Sequence, residues 1–239
     1  MMIDEKAHRL YSSCMIRHIV WDWNGTLIDD ASACVRSLND MLRHYGRKPV
    51  TCSQYRRMFK FPVQDYYVSL GFDFSREDWR RVAAEFHEQY GIHSKKARLR
   101  KGARETLRSL QKSGMAMSIL SASEASILER MVTERGIRPF FNGLYGLSDL
   151  FARSKVDAGK KMIGRIGIDP ADILLVGDTE HDAEVAVTMG CRCVLLRGGH
   201  QAEDRLRHCG CEILPDVGSL FGYLRKDSVT ARCGRRTMP

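Results

Sequence analysis

Long apolar runs are missing from this 239-residue chain: no stretch approaches the ~18 uninterrupted apolar residues that a spanning helix needs. A helical membrane protein is therefore not expected. The start, MMIDEKAHRL, carries Asp4 and Glu5 and leads into no apolar segment, so it does not read as a secretion signal. A soluble, cytoplasmic protein is the expectation. Prolines number only six, and there is no internal repeat and no low-complexity segment, which excludes repeat arrays and disordered polymers. With 44% hydrophobic and 28% charged residues, the composition is that of a globular chain.

The positive excess is modest and partly terminal. The formal +9 comes from 38 Lys+Arg against 29 Asp+Glu. The last fifteen residues, with Arg225, Lys226, Arg232, Arg235 and Arg236 against Asp227, account for four of those charges. A charged tail is more often a solvated end than a binding arm, so no nucleic-acid partner is expected. Cysteine, by contrast, is plentiful: eight residues, with Cys-x-Cys at 191/193 and 209/211. Zinc would need four thiolates converging, and the usual spacing leaves two to four residues between paired cysteines. Cys191 and Cys193 read instead as small apolar residues in a strand, and disulfides are not expected without export.

The pattern of elements points to an α/β chain. IRHIVWDWN (16–24), MAMSILSA (115–122), ILLVGD (173–178) and CRCVLLR (191–197, the last expected strand) read as strands. Helical periodicity follows the first, with Ala33, Leu38, Met41 and Leu42 on one side, and recurs over 124–136, 155–167 and 182–190. Strands alternating with helices of this length imply βαβ units and a Rossmann-like parallel sheet covered by helices. Residues 50–93 break the alternation with aromatics spaced among charges, which predicts several short amphipathic helices inserted after the first strand. The expected organisation is an α/β core over 15–30 and 100–224, a mostly α-helical cap over 31–99, and terminal extensions at 1–14 and 225–239.

In an open parallel sheet, ligands bind at the carboxyl ends of the strands. The first strand ends in Asp22-Trp23-Asn24-Gly25-Thr26, the second in Ser121-Ala122-Ser123, and the third in Gly177-Asp178-Thr179 with Asp182 beyond. Lys155 opens an intervening helix. A carboxylate so placed can attack phosphorus and form an aspartyl-phosphate. Mg²⁺ prefers oxygen ligands and neutralises a phosphate dianion, and Asp22, Asp178 and Asp182 supply carboxylates from separate strand ends. Taken singly, Asp22 and Asp178 read equally well as helix N-caps, and Ser121 as a loop serine; their joint occurrence favours the site.

DWNGTLIDD, SILSAS, Lys155 and VGDTEHD, in this order over about residues 16–200, resemble the haloacid dehalogenase-like superfamily of phosphotransferases. The insert resembles the helical cap of its phosphoglycolate-phosphatase-like branch. By this resemblance Asp22 is the nucleophile and a magnesium ligand, and Asn24 gives its backbone carbonyl to the metal. Ser121 and the Ala122 amide bind phosphate, with Gly25 and Thr26 beside them. Lys155, preferred over Lys160 and Lys161, steadies nucleophile and phosphate together. Asp178 is the second metal carboxylate, and Asp182 is a further ligand or acts through water. The implied substrate is a small phosphorylated metabolite of the phosphoglycolate type.

One departure matters. The family's motif has an aspartate general acid/base two residues after the nucleophile, where this chain has Asn24. An amide hydrogen-bonds but cannot exchange a proton at neutral pH, and a lost general acid forfeits ~10²–10⁴ in rate. Leaving groups of low pKa suffer least. Three readings follow: a phosphatase using a good leaving group or a stand-in such as Glu180 or His181; a phosphate-ligand-binding protein with weak or no turnover; or a phosphonate hydrolase, for which the cap offers Lys60, Lys95 and Lys96. His181 is expected as an exposed residue at a helix start, Thr179 as a turn residue, and Arg197-Gly198-Gly199-His200 as a flexible turn. The cap aromatics Tyr66, Tyr67, Trp79 and Phe86 are expected mostly in the core, with one or two facing substrate. Residues 47–101 net +7, and Arg56, Arg57 and Lys60 are candidates to attract an anion.

Overall fold

A computed structural model describes residues 16–151 and 155–233; the expected extension at 1–14 and the end of that at 225–239 lie outside the described residues. Strand β1 (His18–Trp21) is buried throughout because it runs in the middle of the sheet, so both its faces are apolar. Ile19 and Trp21 enter one hydrophobic cluster, whereas Val20 enters the other with Leu120 and Leu175. β1 pairs in parallel with β4 (Ala116–Glu124) on one side and β6 (Ile173–Gly177) on the other. The registers Trp21↔Ile119 and Trp21↔Val176 align the three strands, so that residues 22, 121 and 178 follow within two positions of one level. Asp22, Ser121 and Asp178 thus emerge at a common crevice.

The sheet has six parallel strands in the order β5-β4-β1-β6-β7-β8, with β5 Gly143–Leu147, β7 Arg192–Leu196 and β8 Glu212–Leu214. Two of these differ from expectation. β5 (GLYGL) contains two glycines and no alternation, and β8 is three residues long after a Cys-Gly-Cys turn, so neither carries a periodic signal. Residues 191–197 are accordingly not the last strand: β8 pairs beyond β7 through Val194↔Glu212.

The chain leaves the core through β2 (Ile28–Asp29) and returns through β3 (Arg98–Leu99), and these two pair antiparallel as a short neck. Between them lie α1 (Ala31–His44), α2 (Cys52–Met58), α3 (Val63–Ser69) and α4 (Trp79–His93), the inserted helical cap. α1 packs along α4. Thr51 and Gln54 form a reciprocal capping box that starts α2, and Asp78 caps α4. The core helices are α5 (Ala103–Lys112), α6 (Ala125–Glu134), α7 (Val156–Ile166), α8 (Glu180–Met189), the short α9 (Glu203–Leu206) and α10 (Leu220–Cys233). No described helix is long and apolar enough to cross a membrane.

His18 opens β1 only 4% exposed, its ring Nε2 3.0 Å from Ser118 Oγ, and burial pushes its pKa down to about 4. A depressed folded-state pKa means that its contribution is complete above about pH 6.5 and is lost as pH falls through about 4. Between pH 7 and pH 4 the wild type is expected to lose on the order of 2–3 kcal/mol more stability than His18→Gln. Urea melts at both pH values measure this, and equal losses would count against it.

Candidate active site

Asp22 follows β1 directly, its amide bonded to the Val176 carbonyl at 2.8 Å, so its side chain leaves the sheet where β1 and β6 meet. Oδ1 accepts from Lys155 Nζ at 2.6 Å. The same ammonium donates to Asp182 Oδ1 at 2.5 Å and is 2% exposed. Lys160 and Lys161 are exposed on α7, so of the three lysines it is Lys155 that stands beside Asp22. Asp182 is fixed from its other oxygen, which accepts from the amides of Asp178 and Thr179 and from the Thr179 hydroxyl. Thr179 and Asp182 form the capping box of α8, and the expected turn role of Thr179 is this one.

Asp178 accepts from Thr26 Oγ1 at 2.7 Å and from the His200 amide at 2.6 Å. Thr26 is fully buried against this carboxylate and does not line the cavity. Gly25 is required here twice over: its φ is +75°, and a Cβ would run into the Asp178 carboxylate and the His200 ring. Ser121 is also fully buried, its Oγ accepting from the Ser123 amide, and Ala122 and Ser123 form the cavity wall at this point.

Ligand oxygens of Asp22, Asp178 and Asp182 lie within 4.8 Å of one another. Burial raises Asp22, Lys155 opposes this, and Asp182 and Asp178 raise it again, to about 8. Burial likewise raises Asp178. Asp182 is held low against its burial by Lys155, whose own pKa is raised by the two carboxylates. With all three ionised, one ammonium against three buried carboxylates gives the cluster a net charge of −2. An all-oxygen donor set with this imbalance fits a divalent cation such as Mg²⁺.

Asn24 is locked. Nδ2 donates to Asp30 Oδ2 at 2.7 Å and to Tyr90 Oη at 2.9 Å, while Oδ1 accepts from Ser123 Oγ at 2.7 Å. Asp30, which sequence reasoning did not single out, also accepts from the Gly25 amide, the Tyr90 hydroxyl and His200 Nε2 at 3.1 Å. Burial opposes its charge, but His200 and these donors hold Asp30 down to about 2. Burial opposes the His200 cation too, and Asp30 outweighs it, raising His200 to about 9. Beside Asp22 there is therefore an ion pair bridged to an amide.

Several expectations are corrected by this geometry. His200 is 4% exposed, held between Asp30 and the Tyr55 hydroxyl (2.8 Å), and not part of a free turn. His181 is buried, with its ring stacked on Phe61 at 4.5 Å between centroids, because the cap covers the start of α8. Glu180 is engaged by Arg205 and Gln201. Arg56 donates to the carbonyls of Gly199 and Gly198, which fastens α2 to the loop after β7, while Arg57 and Lys60 are exposed and none of the three lines the cavity. Gln201 and Arg205 reinforce that fastening by donating to the Phe59 carbonyl. Lys60, Lys95 and Lys96 are all exposed, so the Schiff-base reading has no described cap lysine in the cavity. All four cap aromatics, rather than one or two, line it. The paired cysteines are free thiols: Cys193, Cys209 and Cys211 pack against the cluster of Ala183, Leu195 and Leu206, Cys191 against that of Ile173, Ala186 and Met189, and no metal-ligating group among the described residues includes them.

Residues 19–196 match the haloacid dehalogenase-like hydrolase family. The chain belongs to this family, with the helical-cap architecture of the phosphoglycolate-phosphatase-like branch, and its activity class is that of the family's hydrolases and phosphatases. It is 24% identical over 202 residues to phosphoglycolate phosphatase 1 of Pseudomonas aeruginosa, covering 81% of this chain and 74% of that protein. It is 23% identical over 206 residues to the N-acetylmuramic acid 6-phosphate phosphatase of the same organism, covering 84% and 91%. Among solved structures, a haloacid dehalogenase-like family hydrolase from Streptococcus pneumoniae superposes with a TM-score of 0.78 at 19% identity, covering 87% of this chain and 98% of that one. CbbY from Rhodobacter sphaeroides, in complex with phosphate, gives 0.69 at 15% identity, covering 86% and 96%.

Proposed function

We propose that the protein is a Mg²⁺-dependent phosphate monoesterase in which Asp22 attacks phosphorus and is transiently phosphorylated. The observation that carries this reading is the position of Asp22: it lines a cavity of about 130 Å³, one oxygen held by Lys155, with Asp178 and Asp182 in reach of a shared ion. Lys155 orients the nucleophile and counters charge on the phosphate, Ala122 and Ser123 wall the phosphate end, and the cap excludes water. Bound at Asp22, Asp178 and the Asn24 carbonyl, Mg²⁺ would supply charge neutralisation for the transferring phosphoryl group.

The relatives support phosphate-ester chemistry but diverge in substrate, one named for phosphoglycolate and another for an amino-sugar phosphate. Purified protein with Mg²⁺ is expected to release phosphate from p-nitrophenyl phosphate. EDTA should lower the rate at least ~100-fold, and Mg²⁺ should restore it. Metal binding followed by calorimetry should vanish in Asp178→Asn. Undiminished turnover in EDTA would refute the metal assignment.

A further inference from the structure

We propose that the ester this site turns over is an aryl phosphate, a phosphorylated phenol, and not a short anionic alkyl phosphate; this rests on the phosphatase reading above and names its substrate class. Two independent features carry it. The first is the aromatic lining of the cavity that Asp22 also lines. Phe59, Phe61, Trp79, Phe86 and Phe151 line it, Phe59 meeting Phe61 edge-to-face at 5.4 Å and Trp79 lying tilted against Phe151 at 6.5 Å. Among the described residues, the cations that touch the cavity are already matched: Lys155 by Asp22 and Asp182, and His200 by Asp30. His87, which also lines it, places Nε2 2.9 Å from the Leu150 carbonyl, and burial lowers its pKa. A substrate carboxylate would meet no spare positive charge there, and burying it unpaired is costly. A flat apolar ring would find aromatic faces.

The second feature is the leaving-group side. The residue two beyond the nucleophile is an amide with both N–H groups engaged, so it has no proton to give. Asp30 behind it is an anion saturated with donors, and Tyr90 has its hydroxyl hydrogen on that anion. The leaving oxygen therefore departs with its electron pair and no proton from Asn24, Asp30 or Tyr90. As an Asp22 oxygen forms its bond to phosphorus, the P–O bond breaks and the pair stays on the departing oxygen, which takes a proton from solvent. Water then adds to phosphorus, the P–O bond to Asp22 breaks, and the pair returns to the carboxylate, giving inorganic phosphate and releasing a proton. A phenolate, with conjugate-acid pKa about 10, bears this far better than an alkoxide, whose pKa is near that of water at about 16. The wall and the amide select the same substrate.

The test compares phenyl phosphate, phosphoglycolate and acetyl phosphate with the wild-type chain in Mg²⁺. Acetyl phosphate is small and needs neither the aromatic wall nor a general acid. Phenyl phosphate is expected to exceed phosphoglycolate at least 100-fold in kcat/KM, with kcat falling as ring substituents raise the phenol pKa. In Asp22→Asn, where ligands stay intact, calorimetry should show phenyl phosphate binding at least tenfold more tightly than phosphoglycolate. Turnover of acetyl phosphate together with phosphoglycolate handled or bound as well as phenyl phosphate would overturn the aryl assignment alone. Absence of phosphate release from all three would remove the phosphatase reading and this one with it.

Discussion

Asp22→Asn should reduce phosphate release by about 10⁴-fold or more while leaving the folded protein at least as stable in the absence of metal. The amide keeps the shape of the carboxylate but is a poor nucleophile, and loss of a nucleophile that forms a covalent intermediate removes most of the rate enhancement. Stability moves the other way. Asp22 is raised to about 8 by its burial and by Asp182 and Asp178, so above pH 4 its ionised form works against folding. Lys155 retains Asp182 as a partner in the variant. Site and fold are in tension here, as is common where charges of one sign are gathered for catalysis. A melting temperature at pH 8 that does not fall, paired with lost turnover, is the expected result. Residual activity within tenfold of wild type would show that another group attacks phosphorus.

The second large effect concerns the amide at position 24. A carboxylate introduced by Asn24→Asp alone would stand where Nδ2 now lies 2.7 Å from Asp30 Oδ2, and would remove the donor that Asp30 uses. Two buried like charges at this distance raise the pKa of the newcomer. The single variant should therefore lose about 2–4 kcal/mol at pH 8 and recover as pH falls and the new carboxyl protonates. Exchanging the pair, Asn24→Asp with Asp30→Asn, restores one amide and one carboxylate in contact. The paired variant should regain part of the stability, since His200 loses its buried carboxylate partner, and gain about 10²-fold in turnover of alkyl phosphates, with little change on aryl phosphates. Melts at pH 8 and pH 5, with rates on both ester types, measure this. A single variant as stable as wild type would mean that Asp30 does not govern residue 24.

Much of the metal-side chemistry was legible because it lies in strand-end motifs. DWNGT and VGDTEHD sit where β1 and β6 stop, and a parallel sheet delivers such ends to one crevice whatever the loops do. Lys155 was legible from its place at the start of a helix between those motifs. What was not legible came from distant chain segments. Asp30 is one of two adjacent acids with nothing in the sequence to tell them apart, yet Asp29 is exposed and Asp30 is at 0%. Tyr90 meets Asn24 across 66 positions and Tyr55 meets His200 across 145, distances no local period encodes. Gly198-Gly199-His200 looked like a free turn because two glycines suit one, yet Gly199 is needed so that the backbone can press against Asp178. β5 and β8 escaped because short edge strands need little hydrophobic patterning.

The loop after β7 has a mechanical meaning. Its His200 amide steers Asp178, and the same few residues latch the lid through Tyr55, Arg56 and Phe59. The inserted helices and the Asp178 carboxylate therefore hang on one loop, so a displacement of α2 would be felt at the carboxylate.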